Sequence, residues 1–189
     1  LGECDPIYPG ICFDFMIRNL AQVVKCSRVG VCTAMCDLII GLTEGAGALD
    51  ISVDTDVRLE RVFLYSLCWT VGGLLEHDDR VKFDEWIRTK DINGRMPECG
   101  EHETIYEYMV DVTTGDWTIW KPPVWEYPKG EQLDFSNLLV PTMDSTRACY
   151  NLMHMHKQKK PVCLVGGEGT AKTSTALMFF HDLNPEEML

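Results

Sequence analysis

Eight consecutive residues, Gly166-Gly167-Glu168-Gly169-Thr170-Ala171-Lys172-Thr173, have the types and the spacing to hold phosphate. In a P-loop of this kind, successive backbone N–H groups converge on an anion at the N-terminus of a helix. Gly166, Gly167 and Gly169 let the backbone wrap closely. Lys172 brings a mobile positive charge to the β- and γ-phosphates, and the hydroxyl of Thr173 follows in the place that meets Mg²⁺. The expected ligand is therefore ATP or ADP with Mg²⁺. One position departs from the usual G-x-x-x-x-G-K-[ST] pattern, because Ala171 replaces the last glycine. A Cβ is tolerated there if φ is negative, yet it alters phosphate approach, so binding is more secure than fast hydrolysis. Only residues 174–189 follow Thr173. A later strand with an acidic residue for Mg²⁺ and water, and residues that sense the γ-phosphate, are expected outside this chain, which alone is not expected to hydrolyse ATP.

The bland alternative is a Gly-rich strand-to-helix turn with an incidental surface lysine. The flanks argue against it. Pro161-Val162-Cys163-Leu164-Val165 is wholly apolar, as in a buried parallel strand, and residues 173–182 read as an apolar helix stopped by Asn184-Pro185. Other candidates carry less. His154 and His156 lie two apart on a predicted helix, so they face different ways and cannot chelate one metal. Trp117, Trp120 and Trp125 suggest a stacking platform, but cover for one face of a hairpin and linker is the simpler reading. Glu76, Asp78 and Asp79 fall between two helices, where Asp79 suits an N-cap. No Ser/His/Asp or Cys/His arrangement is supported by spacing.

Several elements must position the loop. Residues 13–42 are helical in pattern, with Phe13, Met16, Leu20, Val23 and Val24 on one face and Gly30 as a break between two helices. Thr43 to Asp56 reads as a surface loop. A helix is predicted from about Asp56 to Asp78, apolar all round over Val62–Trp69 and hence buried on every side; Gly72-Gly73 would admit a second backbone. Asp79 to Arg88 is amphipathic, with Phe83, Trp86 and Ile87 on one face, and Asn93-Gly94 marks a turn in the loop 89–102. Thr104–Val110 reads as a strand, Asp111–Asp116 as its turn, and Trp117–Trp120 as the return strand. Lys121–Gly130 is a Pro-rich linker. Phe135–Val140 is an apolar lead-in to a helix over Met143–Lys157, capped by Thr142 or Asp144, with Cys149, Leu152, Met153 and His156 inward. The fold class is α/β overall and mixed: helical material first, then a small β-hairpin, then the start of an α/β core.

Composition limits the function. At 46% hydrophobic and 24% charged residues, the 189-residue chain is globular and can bury a core. A net charge of −12 excludes a nucleic-acid footprint; Lys157, Lys159 and Lys160 read as a helix C-terminus instead. The nine cysteines form no C-x-x-C pair and several sit among apolar residues, as free thiols do in a reducing compartment. The longest apolar run, Val62–Leu75, is shorter than the ~20 residues a membrane span needs, so no membrane partner is expected.

Taken together, certain runs carry a resemblance. Phe63–Leu75, continuing through Asp79-Arg80 to Phe83 and Trp86, resembles dynein heavy chains. So do Tyr106-Glu107-Tyr108 with Gly115-Asp116-Trp117 and Trp120, Leu139-Val140-Pro141-Thr142 with Asp144 and Arg147, and the Gly-Thr-Ala-Lys-Thr form of the P-loop. Their order is similar to the junction of the second and third AAA+ modules of the motor ring, and the P-loop form to axonemal, outer-arm heavy chains. The resemblance covers about residues 58–189. It implies that residues 1–103 are the C-terminal helical part of the second module, 104–130 an insertion, and 131–189 the start of the third. It implies an adenine pocket at Leu139, Val140 and Pro141. It implies ATP-driven, minus-end-directed movement on microtubules in cilia or flagella, the main hydrolytic site lying in a module outside this chain. Expected partners are the other AAA+ modules of the same chain, with intermediate chains, light chains and microtubules engaged elsewhere. The expected location is the cytoplasm and cytoskeleton, in the axoneme. Two other readings stand beside it: a regulatory or structural ring spacer that holds nucleotide without hydrolysing it, and a small independent P-loop kinase, for which the chain leaves too little room.

Overall fold

The computed structural model describes residues 7–44, 55–126 and 138–183. The chain divides into two compact units, Leu1–Ile119 and Trp120–Leu189. Among the described residues, no helix is long and apolar enough to cross a membrane.

In the first unit, α1 (Pro9–Asn19) starts with Pro at its first turn, where no N–H is missed. α2 (Arg28–Thr43) is capped by Ser27, whose hydroxyl accepts from Gly30 N–H. The break therefore lies at residues 20–27 and not at Gly30, which is inside α2; Val23 and Val24 consequently leave the helical face that Phe13 and Met16 share. A Ser cap simply outweighs one glycine early in a helix. α3 (Thr55–Thr70) is the central element, in contact with α2 and with the segments that follow it. Val62, Leu64, Tyr65, Ser66, Leu67 and Cys68 are all buried, as its continuous apolar run requires. Burial pushes the Cys12 thiol up to about 12 and the Cys68 thiol well above its usual range, so both are inert packing groups.

A 3-10 turn, Gly72–Leu74, follows, then α4 (His77–Arg88). The helix begins two residues before Asp79, so Asp79 is not its cap. Its buried carboxylate instead accepts from Ala21 N–H at 2.7 Å and from Lys82 at 2.6 Å. Arg80 reaches back to accept the role of a C-cap for the preceding turn, donating to the carbonyls of Gly72 and Leu75. Trp86 stacks on Phe15 at 4.1 Å between ring centroids.

The segment Thr104–Val110 is only half strand. Thr104 caps a 3-10 turn over Ile105–Glu107, and β1 is confined to Tyr108–Val110. The cap and the buried anchors Ile105 and Tyr106 override the β-propensity of these residues. β1 pairs antiparallel with β2 (Trp117–Ile119), Tyr108 opposite Ile119 and Val110 opposite Trp117. The connecting turn, with Gly115 at φ +73, rests on Arg58 and Arg61 of α3, and Arg61 donates to Gly115 O at 2.9 Å.

In the second unit, α5 (Met143–Lys157) is capped by the reciprocal pair Thr142 and Ser145. α6 (Lys172–Asp182) packs against α5 through Thr175 and Phe179. The most buried residues of α5 are Ser145 and His154; Cys149, Leu152, Met153 and His156 are half-buried. Residues 161–165 do not form a strand: Val162 and Val165 are about half exposed. A parallel strand exists only by pairing, and among the described residues these N–H and C=O groups meet no neighbouring strand. Residues 127–137, which contain part of the linker and of the apolar lead-in, lie outside the described residues, as do 45–54 of the loop after α2.

Candidate functional site

The eight P-loop residues run from the end of the 161–165 segment into the first turn of α6. The chain turns through left-handed backbone twice, at Gly169 (φ +71) and at Ala171 (φ +54), and then enters the helix at Lys172. The carbonyl of Ala171 accepts from both Thr175 N–H and Thr175 Oγ1 at 2.9 Å, so the loop is tied to a buried residue of α6. Gly166 lies where a Cβ would come within 2.8 Å of Thr170 Oγ1. A close-wound loop that opens onto a helix N-terminus is the arrangement that receives phosphate, and the residues present fit a nucleotide. Lys172 Nζ reaches into the loop, donating to Gly166 O at 3.0 Å, Gly167 O at 2.6 Å and Thr170 Oγ1 at 3.1 Å. Thr173 is exposed on the first turn of α6. Glu168 is exposed as well.

The backbone at Ala171 does not meet the condition under which a Cβ is tolerated there. Its φ is positive, so the Cβ is carried in the region where only glycine is unstrained. Replacing it by glycine should therefore stabilise. Ala171→Gly is expected to raise the stability of the second unit by about 0.5–1 kcal/mol, read as a shift of the urea midpoint. At a negative φ the same change would lower it by a similar amount.

Two family models match successive parts of the chain. Residues 8–122 match the dynein heavy chain AAA lid domain, and residues 126–189 match the P-loop containing dynein motor region. The chain belongs to the dynein heavy chain family. Relatives include the dynein gamma chain of the flagellar outer arm of Chlamydomonas reinhardtii, 35% identical over 92% of this chain. Human dynein axonemal heavy chain 10 is 33% identical over 96%, and human dynein axonemal heavy chain 8 is 29% identical over 94%. The chain spans about 4% of the length of each of these relatives.

The adenine candidates of this dynein segment are placed less simply. Leu139 and Pro141 line an apolar cleft of about 580 Å³ together with Trp125, Cys149, Met178 and His181, whereas Val140 turns to solvent and is 48% exposed. The cleft volume suits a small ligand. Yet α6 contributes to it from its far half, about 9–14 Å along the helix from Lys172 at 1.5 Å per residue. The P-loop residues do not line it. Within the described residues, Leu139 and Pro141 are thus brought to one cleft and Gly166–Thr173 to another part of the unit. The contributions of Trp125, Met178 and His181 had no signal in spacing, since Trp125 comes from the segment before α5 and Met178 and His181 from one face of α6. Cys149, read as an inward helix residue, faces this cleft; burial, and then the nearby Asp182 carboxylate, raise its thiol pKa.

The weaker candidates resolve as structure. His154 packs on Tyr150 and His156 on Phe179, on different sides of α5. Trp117 donates to Arg95 O in the first unit, while Trp120 packs edge-on against Tyr150 in the second, so they do not build one stacking platform. Among the described residues, no cluster of three His, Cys, Asp or Glu side chains is placed to hold a metal.

Proposed function

We propose that this chain is a nucleotide-binding segment of an axonemal dynein heavy chain, at the junction of the second and third AAA+ modules of its ring. The observation that carries the reading is the P-loop itself: two left-handed residues, a helix N-terminus and Lys172 inside the turn, in a chain whose residues 126–189 match the P-loop containing dynein motor region. Backbone N–H groups from Gly166 to Ala171 would receive the phosphates of ATP or ADP. Lys172 would neutralise their charge and Thr173 would present its hydroxyl to Mg²⁺. The cleft lined by Leu139 and Pro141 would have to receive the base from the loop's side, along α6, for these residues to supply it apolar contact. The bound nucleotide would contribute electrostatic leverage on the loop and so on α5 and α6; other modules of the same heavy chain would feel that change. In the full motor this supports ATP-driven movement along microtubules in the axoneme of cilia or flagella, with intermediate and light chains bound elsewhere. The flagellar outer-arm relative favours the outer-arm type.

The test is binding of a fluorescent ATP analogue to the chain with and without Mg²⁺, beside Lys172→Ala. Loss of a charged hydrogen-bonding partner is expected to weaken binding at least tenfold, about 1.5–3 kcal/mol. Equal binding by the variant would reject the reading. The strained backbone at Ala171 favours a second reading, a slowly exchanging site that regulates without turnover. Rapid turnover of labelled nucleotide at this site in the complete ring would exclude it.

A further inference from the structure

An ammonium group has three N–H donors, and in Lys172 all three find an acceptor within the loop. They are Gly166 O at 3.0 Å, Gly167 O at 2.6 Å and Thr170 Oγ1 at 3.1 Å. The lysine that should reach for phosphate is thus already satisfied by its own loop. Two of its partners are backbone carbonyls that no side-chain substitution removes. The third is a side chain outside the Lys-[Ser/Thr] pair that usually defines such a loop.

Thr170 holds that place firmly. Its hydroxyl donates to Gly167 O at 2.9 Å, so its lone pairs are left for the lysine. The same oxygen lies over Gly166, where a Cβ would come within 2.8 Å of it. Gly166, Gly167, Thr170 and Lys172 therefore close a small ring of hydrogen bonds in which the hydroxyl is both donor and acceptor. Each bond lies at the surface, so each is worth little alone. Together they fix the ammonium at the carbonyl side of the loop. A phosphate oxygen can be contacted by Lys172 only after one of these acceptors is given up, and the hydroxyl makes the longest of the three bonds.

We propose that Thr170 is a positioning residue for Lys172: its hydroxyl latches the ammonium against the Gly166 and Gly167 carbonyls, and phosphate binding opens the latch. The proposal rests on the reading of this loop as a nucleotide site only for its second half. The latch itself is a property of the ligand-free chain and is tested there.

The first arm therefore uses no nucleotide. The chain is pulse-labelled with an amine-acylating reagent, and peptides are quantified by mass spectrometry, with Lys159 as internal reference. Thr170→Val removes the hydroxyl and keeps the shape. It is expected to raise labelling of Lys172 relative to Lys159 by about twofold to tenfold, the worth of one net hydrogen bond. Thr170→Ser restores the hydroxyl and is expected to return labelling to the original rate. Unchanged labelling in Thr170→Val, or failure of Ser to reverse a change, overturns the latch. The second arm measures association of the fluorescent ATP analogue with Mg²⁺. Thr170→Val is expected to bind faster and about twofold to tenfold tighter. Weaker binding would mean that the hydroxyl serves the bound state, and would overturn the proposal even if labelling rises. Lys172→Ala in the same assay judges the nucleotide site separately, since it leaves the labelling result on Thr170→Val untouched.

Discussion

Gly72→Ala is expected to destabilise the first unit by about 3 kcal/mol, the upper range for overpacking a filled core. A Cβ at Gly72 would lie 1.7 Å from Tyr106 Oη, 3.0 Å from Tyr106 Cζ and 3.3 Å from Phe83 Cδ1. None of these groups is free to move. Tyr106 is 4% exposed and Phe83 fully buried. The Tyr106 ring meets the Trp69 ring edge-on at 5.5 Å, its hydroxyl donates to Cys68 O, and the Arg80 guanidinium covers it at 5.5 Å from the ring centroid. The sequence suggested that Gly72-Gly73 admits a neighbouring backbone. The neighbour is instead one phenol, and only Gly72 is needed, since a Cβ at Gly73 would meet open space. Urea unfolding of the chain, followed by the fluorescence of Trp69 and Trp86, should show a midpoint lowered by about 2 M for Gly72→Ala and nearly unchanged for Gly73→Ala. Tyr106→Phe removes the nearest atom. In the Gly72→Ala background it should recover about 1–2 kcal/mol, a coupling that only direct contact gives. Equal losses at the two glycines would refute this account.

The contrast between those glycines shows what the sequence could convey. Periodicity and caps are local, and they gave the elements whose causes are local: Thr142 opens α5, the all-round apolar run makes α3 a buried helix, and Asn93-Gly94 turns at Gly94 with φ +60. The P-loop was legible for the same reason, since its residues are contiguous. Elements that depend on distant partners were not. The 161–165 run has the composition of a parallel strand but is a strand only beside another. Asp79 looked like a helix cap, yet its partner is Ala21 N–H, 58 positions away. The φ of Ala171 is positive, a backbone property that the residue type alone did not convey. The runs that mark the family are mostly of this second kind. Asp79, Arg80, Tyr106 and Gly115 hold α3, α4 and the hairpin together. Only the last run lies in the P-loop. The family is thus marked both by residues that hold the first unit together and by the loop itself, which lies within the matched residues 126–189.

Asp84→Ala is expected to cost about 3 kcal/mol, through two losses that can be separated. Asp84 is 4% exposed and anchors three groups. Its Oδ2 accepts from Arg88 Nε at 2.7 Å, and its Oδ1 accepts from Arg88 Nη2 at 3.2 Å and from Ile105 N–H at 2.8 Å. Ile105 is 1% exposed, so without the carboxylate its N–H has no water to turn to, which costs about 1–3 kcal/mol. Arg88 fares better. Its side chain is 30% exposed and still donates to Pro97 O at 2.9 Å and to Cys99 Sγ. The penalty for orphaning a fully buried charge, about 3–5 kcal/mol, is therefore not reached. Arg88→Ala should be at least as costly as Asp84→Ala, because it leaves a carboxylate that is only 5% exposed without its counter-charge, held by the Ile105 N–H. Asp84→Asn separates the losses: its amide oxygen can still accept from Ile105, while the pairing with Arg88 weakens. It should recover about half of the stability lost in Asp84→Ala, read by urea unfolding. If Asn is as damaging as Ala, the ion pair dominates; if Asp84→Ala costs less than about 0.5 kcal/mol, the buried carboxylate does not anchor the 3-10 turn at all. Because that turn leads directly into β1, loss of Asp84 is also expected to accelerate amide exchange at Tyr108 and Val110 before it does so in α2.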